Sequence, residues 1–193
     1  KPFTQPTFHK LFVSPNDRQK PFEKLIDQEI NNARKGLPAS ICIKINHITD
    51  EKRVECLYRA SQAGVKLKLL VRGNCSLVPG IKGLSENREI HGIIDRYLEH
   101  SRIFIFENGG KPLYYSGSAD FRPRNLYNRV EVVTPVYDKE CLRRLQEIFD
   151  LGFADNTKSF LIDGKGTNER FLKGPNKVES QKELYLALSS DKK

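Results

Sequence analysis

A polar helix between two short apolar runs constrains the fold more than any other feature of this chain. Residues 39–48 (ASICIKINHI) and 65–73 (VKLKLLVRG) carry the composition and alternation of strands. Residues 51–64 between them repeat apolar side chains at helical spacing, and Asp50 precedes them as an N-cap. A strand, a crossover helix and a strand of this length form a right-handed βαβ unit with parallel strands. The sequence therefore predicts an α/β fold.

Further elements extend this unit into a mixed sheet. Residues 9–17 predict a short strand that ends in a Ser-Pro-Asn-Asp turn. We predict further strands at residues 89–95, 101–106, 112–118 and 129–137, and helices at residues 21–34, 138–153 and 179–190. The sequence Glu-Asn-Gly-Gly at 107–110 predicts a hairpin between two of these strands. Because the sequence turns polar after residue 155, we expect one domain over residues 1–155 and a polar arm or short helix over residues 156–193.

An excess of basic residues narrows the class of partner. Lys and Arg outnumber Asp and Glu by 33 to 24, which gives a formal net charge of +9. This charge favours nucleic acid, a phosphorylated ligand or acidic lipid headgroups. No apolar run reaches the about 18 residues that a membrane span needs. We therefore expect a cytoplasmic protein, with peripheral membrane association left open, and the lack of any methionine suggests a piece of a longer protein.

The cysteines are typical of reduced core thiols. Cys42, Cys56, Cys75 and Cys141 are widely spaced and form no CxxC pair. This pattern disfavours a disulfide framework or a zinc site, and we predict no metal ligands in the chain.

Polar side chains around residues 99–125 point to phosphate chemistry. His100 and Arg102 have the same parity on a predicted strand, so we expect them on one face. Gly117 before Ser118 would let an anion approach the backbone, and Arg72 ends the βαβ unit, where ligands gather. The following loop adds Arg122, Arg124 and Asn125. An imidazole among guanidinium groups suits phosphoryl oxygens and proton transfer.

A structural role for the histidines is the alternative. A single histidine near a strand or helix end is often a cap or a satisfied core residue, and basic residues in so charged a chain are mostly solvated. The convergence of two segments favours function for His100. His9, His47 and His91 have no such neighbours, and we expect them to be structural or exposed.

The spacing of these residues resembles a modified phospholipase D signature, which runs His, Lys, Asp and then Gly-Ser-x-Asn. The signature positions hold His100, Arg102, Glu107, Gly117, Ser118 and Asp120. Arg replaces Lys, Glu replaces Asp, Asp replaces Asn, and the Gly-Ser pair comes three residues late. These substitutions disfavour ordinary phosphodiesterase chemistry.

Longer strings resemble the C-terminal phospholipase D-like domain of bacterial polyphosphate kinases of the first type, from about residue 9 to residue 155. They are FVSPND, ICIKIN, ITDEKRVECLYRASQAGVKLKLLVRGNCSLVPGIKGLSEN, YLEHSRIFIFENGG and SADFRPRNLYNRVEVVTPV. The resemblance implies a phospholipase D-like mixed β-sheet flanked by helices. It also implies reversible transfer of the terminal phosphate of ATP to inorganic polyphosphate through a phosphohistidine.

In that family the phosphohistidine, the magnesium-binding arginines and an adenine-stacking tyrosine lie outside the segment that this chain matches. The resemblance therefore implies half of an active site, with ATP or ADP as substrate, Mg²⁺ held by the rest of the enzyme, and a homo-oligomeric full-length form. It assigns Arg72 and His100 to the nucleotide phosphates, with His100 as proton donor or electrostatic partner of the phosphohistidine. Residues expected to line the pocket or polyphosphate tunnel are Lys44, Asn46, Arg102, Ser118, Arg122, Arg124 and Asn125.

Two rival functions stay open. One is a phosphodiesterase or nuclease that completes its site by homodimerising and pairing His100 with its symmetry mate. The other is a nucleic-acid-binding module, motivated by the net charge of +9. The second is disfavoured because Phe and Tyr fall mostly at core periodicity and not on a stacking face.

Overall fold

The computed structural model describes residues 8–15 and 20–190 and has an eight-stranded sheet with helices on both faces. The strands are β1 (Phe12–Ser14), β2 (Ser40–Ile45), β3 (Lys66–Val71), β4 (Arg88–Ile93), β5 (Ile103–Phe106), β6 (Leu113–Gly117), β7 (Glu131–Val136) and β8 (Ser159–Leu161). The helices are α1 (Lys20–Arg34), α2 (Glu51–Gln62), α3 (Lys139–Ala154) and α4 (Ser180–Ser190), with one π-helical turn at Arg124–Asn128. The predicted α/β class is confirmed, while Asn16 and Asp17 of the first predicted strand lie outside the described residues.

The sheet mixes a parallel centre with antiparallel flanks. Its strand order is β1-β7-β6-β5-β2-β3-β4-β8, and β2, β3 and β4 run parallel. The predicted βαβ unit is confirmed, with Ser40 opposite Lys66 and Ile45 opposite Val71. The predicted hairpin joins β5 to β6, and Asn108 in its turn has φ 49°, in the left-handed region that Asn and Gly tolerate.

Side-chain alternation along the central strands divides the core into two layers. On β2, Ile41 and Ile43 point into the larger cluster, which also buries the apolar faces of α1 and α2. On the other face Leu70 and Ile105 pack against Phe149 of α3. The predicted cap of α2 is present, since the Asp50 carboxylate accepts a hydrogen bond from Arg53 N at 3.1 Å. The helices thus cover both faces and leave the strand ends as the open rims of the sheet.

One rim collects strand ends from both halves of the sheet. The parallel strands β2, β3 and β4 all finish there. Because β5 is antiparallel to β2 and pairs Ile103 with Lys44, its first residue lies at the same rim. Ser116, near the end of β6, pairs with Ile103 and lies there too. We call this rim the carboxyl edge, defined by the segments after β2, β3, β4 and β6 and the segment before β5.

The polar region after residue 155 contributes to the same sheet. Strand β8 pairs antiparallel with β4, placing Leu161 opposite His91 and Ser159 opposite Ile93. Helix α4, which the sequence predicts at 179–190, packs against α3. The strand was not predicted, because three residues of mixed polarity give no clear alternation.

A buried carboxylate joins these last elements. Asp155 is fully buried, and its Oδ1 accepts hydrogen bonds from the backbone N–H groups of Thr157 at 2.9 Å and Lys158 at 2.7 Å. Its Oδ2 accepts from the N–H of Ser180, the first residue of α4, at 2.7 Å. Burial acts to raise the pKa of Asp155, but the backbone donors of Lys158 and Ser180 outweigh it and hold the pKa below its ordinary value of 3.8. One ionised side chain therefore fixes the end of α3, the approach to β8 and the start of α4.

The cysteine prediction is correct for three residues and wrong for Cys141. Cys56 is buried, Cys42 and Cys75 are half-buried, and burial raises the pKa of the Cys42 thiol to about 11. Cys141 is exposed because it lies in the first turn of α3, on the side away from the sheet. All four are free thiols. In the described part of the chain, none of the helices has the length and apolar character needed to cross a bilayer.

We predict that Asp155→Ala lowers the free energy of unfolding by about 3 kcal/mol, because it strands several buried backbone donors. Urea unfolding measures this loss. Asp138→Ala, which removes an exposed carboxylate cap of α3, is the matched control and should have a smaller effect. Since the folded pKa of Asp155 is lowered, its contribution should be present above pH 3.8 and fade below it. Equal losses in the two variants would contradict the assignment.

Candidate functional site

Basic side chains from three separate segments meet at the carboxyl edge. Lys44 and Asn46 come from the end of β2, Arg72 directly follows β3, and Arg102 directly precedes β5. The predicted strand at 101–106 is too long, because β5 begins at Ile103 and both His100 and Arg102 lie in the segment before it. Parity on a strand therefore does not explain their arrangement. Hydrogen bonds from neighbouring segments do.

An ion pair between Arg102 and Asp120 holds three of these segments together. The Asp120 carboxylate is 5% exposed, and its Oδ1 accepts hydrogen bonds from Arg102 Nε at 3.1 Å and Asn46 N at 3.0 Å. Its Oδ2 accepts from Arg102 Nη2 at 3.2 Å. Arg102 Nη1 also donates to the His100 carbonyl at 2.9 Å. Arg102 thus directs its guanidinium inward and fixes the backbone on which His100 lies.

A second group of contacts surrounds Glu99. Lys44 is buried, and its Nζ lies 2.7 Å from Glu99 Oε2. The Arg72 guanidinium donates to the Glu99 backbone carbonyl. With its amide turned so that both ends are satisfied, Asn46 donates to the same carbonyl at 3.2 Å and accepts from Arg102 Nε at 3.1 Å. Glu99 therefore lies among cationic side chains, in the environment that an anionic ligand would require.

His100 follows Glu99, and its side chain is exposed. Its carbonyl is fixed by Arg102, and the preceding carbonyl is fixed by Arg72. The predicted neighbours His100 and Arg72 thus lie on contacting segments. The arrangement combines an accessible imidazole with a guanidinium whose remaining N–H groups can receive oxygen ligands.

His47 also belongs to the cluster, although the sequence predicts a structural or exposed role for it. Its ring packs so tightly on Gly73 that a Cβ there would lie 2.5 Å from His47 Cε1. Its Nδ1 accepts a hydrogen bond from Asn74 N at 3.0 Å, which leaves the proton of the neutral ring on Nε2. Burial lowers the pKa of His47 below 6.5, nearby arginines lower it further, and Asp120 opposes them. The sequence signal that could have found it is its position at the end of a parallel strand, directly after Asn46.

Two predicted lining residues are engaged elsewhere. Ser118 pairs with β7: its N–H donates to the Val132 carbonyl at 2.9 Å, and its hydroxyl accepts from Val132 N at 3.2 Å. Asn125 is buried and donates to Glu131 at 2.6 Å. The interpretation of Gly117 as an opening for an anion is wrong, because a Cβ there would lie 2.3 Å from the Val132 carbonyl oxygen. The close approach of β7 explains this glycine.

The remaining two residues predicted to line the pocket lie at the surface. Arg122 and Arg124 are exposed, and Arg122 is among the charges that act on His47. His9 is exposed, and His91 is buried with its ring stacked on Phe153 at 4.3 Å between centroids, as expected of histidines outside the site.

The carboxyl edge does not fit a metal ion. The two acidic side chains within the cationic cluster are paired with cations, Glu99 with Lys44 and Asp120 with Arg102. Across residues 8–15 and 20–190, no three His, Cys, Asp or Glu side chains come together as metal ligands. The cationic side chains that meet at this edge are of the kind that suits anionic ligands.

Comparison with known proteins decides the family. The sequence model of the protein family described as polyphosphate kinase C-terminal domain 2 matches residues 11–181. The chain belongs to this family. The match agrees with the resemblance seen in the sequence and extends beyond residue 155, through β8 and into the first residues of α4.

Individual relatives support the same assignment. The chain is 42% identical over 190 residues to polyphosphate kinase of Escherichia coli K12, covering 98% of this chain and 28% of that protein. It superposes on the polyphosphate kinase of Porphyromonas gingivalis with a TM-score of 0.92 and 36% identity, covering 97% of this chain and 29% of that one. The chain thus spans less than a third of these relatives.

A more distant match confirms the predicted phospholipase D-like sheet. Nuc from Salmonella typhimurium, a phospholipase D family member, superposes with a TM-score of 0.55 at 13% identity, over 80% of this chain and 97% of that one. At this identity the likeness concerns the fold alone.

We predict that the His47 ring titrates below 6.5 in the free protein and that its pKa rises when inorganic triphosphate is added. The anion offsets the arginines that disfavour the imidazolium. Proton NMR of the ring hydrogens across a pH series measures both values. Arg122→Gln should raise the pKa of His47 without any anion, and Arg34→Gln, on the last turn of α1, is the control. A free-protein pKa above 6.5 would contradict this electrostatic picture.

Proposed function

We propose that this protein supplies the phosphate-binding half of a polyphosphate kinase active site and acts on ATP and inorganic polyphosphate. The observation that carries the proposal is the convergence of Lys44 and Arg72 on Glu99, the residue that precedes the exposed His100. Family membership supports the same activity, since the matched relatives are polyphosphate kinases. The substrates share a chain of phosphoryl groups, for which fixed guanidinium and ammonium groups are suited binders.

In this proposal the phosphates take over the cations that Glu99 now satisfies. Lys44 exchanges the Glu99 carboxylate for a phosphate oxygen, and Arg72 offers the N–H groups that do not bind the Glu99 carbonyl. A phosphoryl group in transfer spreads negative charge over its oxygens, so these groups stabilise the transition state largely by position and charge. His100 faces the reacting phosphate from a fixed backbone and acts as proton donor or electrostatic partner.

The second half of the site comes from the remainder of the enzyme. Because this chain spans 28% of the Escherichia coli protein, we assign the phosphorylated histidine to the part outside the matched segment. Mg²⁺ is proposed to act through residues of that part, since the carboxyl edge described above does not fit it. A homo-oligomeric, cytoplasmic enzyme is part of the same proposal. The chain by itself should bind substrate weakly and turn over nothing.

We predict that Arg72→Ala or His100→Ala in the full-length kinase lowers turnover roughly a hundredfold or more, the scale of losing one transition-state donor or acid. Initial rates of ATP-dependent polyphosphate synthesis measure the loss. Arg34→Ala removes an equal charge from α1 and should leave the rate unchanged. Wild-type turnover in both site variants would refute the assignment.

A salt titration of the chain separates the proposal from its rivals. We predict that polyphosphate and ATP bind more tightly than duplex DNA at each salt concentration, and that Arg72→Ala weakens the binding of both phosphate ligands. Fluorescence anisotropy with labelled ligands gives the affinities. Tighter DNA binding, unaffected by Arg72→Ala, would favour a nucleic-acid module. Hydrolysis of a bis-aryl phosphate by the chain alone would favour the homodimeric phosphodiesterase.

A further inference from the structure

We propose that Gln181, in the first turn of α4, is a positioning residue that holds the segment of residues 97–100 in its active arrangement. The inference rests on the proposed function, because it concerns how Arg72 and His100 are brought to the substrate. It assigns a role in the reaction to a helix that the sequence marks only as the end of a polar arm.

The Gln181 amide contacts this segment at three points. Its Oε1 accepts a hydrogen bond from Tyr97 N at 2.9 Å, and its Nε2 donates to the Tyr97 carbonyl at 2.8 Å. The same Nε2 donates to Glu99 Oε1 at 3.0 Å. One amide therefore forms hydrogen bonds with both backbone polar groups of Tyr97. It also orients the carboxylate that pairs with Lys44. Such a two-point contact fixes both the position and the direction of the chain.

Apolar packing contributes little to holding the segment of residues 97–100 in place. Ile94 and Leu98 are each 70% exposed and Tyr97 is 59% exposed, so apolar burial contributes little to its placement. It has no regular secondary structure between β4 and β5. Its order thus depends on polar contacts, which come from Gln181 at the Tyr97 end and from the cluster of Lys44, Asn46, Arg72 and Arg102 at the other.

Helix α4 is a firm support for such a contact. Its first residue, Ser180, is buried, and its N–H is bound by the buried carboxylate of Asp155. Gln181 is the next residue, so its backbone lies directly beside this anchor. The helix also packs against α3. Asp155 therefore fixes the start of α4, and Gln181 at that start fixes the segment of residues 97–100.

Loss of the Gln181 amide should displace the backbone that carries Glu99 and His100 without unfolding the domain. A displacement of about 1 Å in a catalytic group can lower a rate a hundredfold. We expect Gln181→Leu in the full-length kinase to lower kcat roughly tenfold or more. The melting temperature should stay close to that of the wild-type enzyme, because Gln181 is only half-buried.

A charge exchange tests the contact specifically. Gln181→Glu keeps the acceptor for Tyr97 N but places a carboxylate against Glu99, so kcat should fall. Adding Glu99→Gln to it supplies an amide donor at position 99, removes the repulsion and should restore part of the lost kcat. Because Glu99→Gln also takes the carboxylate from Lys44, the rescue is judged in a double-mutant cycle that includes Glu99→Gln alone. A merely structural role for Gln181 would not produce this rescue. Gln62→Leu, at the exposed end of α2 by the opposite rim of the sheet, is the matched control and should have wild-type kinetics.

The outcomes separate this inference from the proposed function. A fall in kcat for Gln181→Leu at unchanged melting temperature, with rescue in the exchange pair, supports the inference. Wild-type kcat in Gln181→Leu overturns it, and so does a loss that Gln62→Leu shares. Arg72→Ala is measured in parallel: if it lowers turnover while Gln181→Leu does not, only the positioning role fails. If Arg72→Ala has no effect, the proposed function itself fails.

Discussion

The ion pair between half-buried Arg102 and buried Asp120 is the interaction on which the carboxyl edge depends. It ties the segment before β5 to the segment after β6, and through Asn46 N it also reaches the end of β2. These two side chains stand where a phospholipase D signature places phosphate-binding groups. Here each side chain satisfies the other, and Arg102 also donates to the His100 carbonyl, so the pair fixes the backbone on which His100 lies. The sheet is the phospholipase D-like one that Nuc shares, and this ion pair holds its carboxyl edge together.

The other two cationic side chains of the edge, Lys44 and Arg72, both contact Glu99. Lys44 is buried, and an unpaired buried ammonium would be costly. Glu99 neutralises it at 2.7 Å, while the Glu99 backbone carbonyl receives Arg72. In the proposed function an incoming phosphate replaces the carboxylate at Lys44, while Glu99, which is less buried than Lys44, keeps its hydrogen bond from Gln181. In that proposal the Lys44 ammonium has an anionic partner both with and without substrate.

The sequence predicts the local parts of this arrangement and misses the long-range ones. The βαβ unit and the position of Arg72 follow from periodicity over neighbouring residues, and both are confirmed. The roles of His47, Gly117 and Gln181 depend on contacts with segments distant in the chain. For Gly117 the reason is the backbone of β7, and for Gln181 it is a segment 82 residues away. Residue type and spacing carry no information about such contacts until the topology is known.

The affinity of the protein for polyphosphate in Asp120→Ala tests the central claim most directly. Coulomb attraction alone predicts tighter binding, because the variant removes a negative charge from a cationic edge and frees Arg102. Our account predicts weaker binding, because the segments that carry Asn46, Arg102 and His100 lose their common partner. Glu86→Ala, which removes an exposed carboxylate by the opposite rim, controls for net charge. Unchanged or tighter binding in Asp120→Ala would contradict the account.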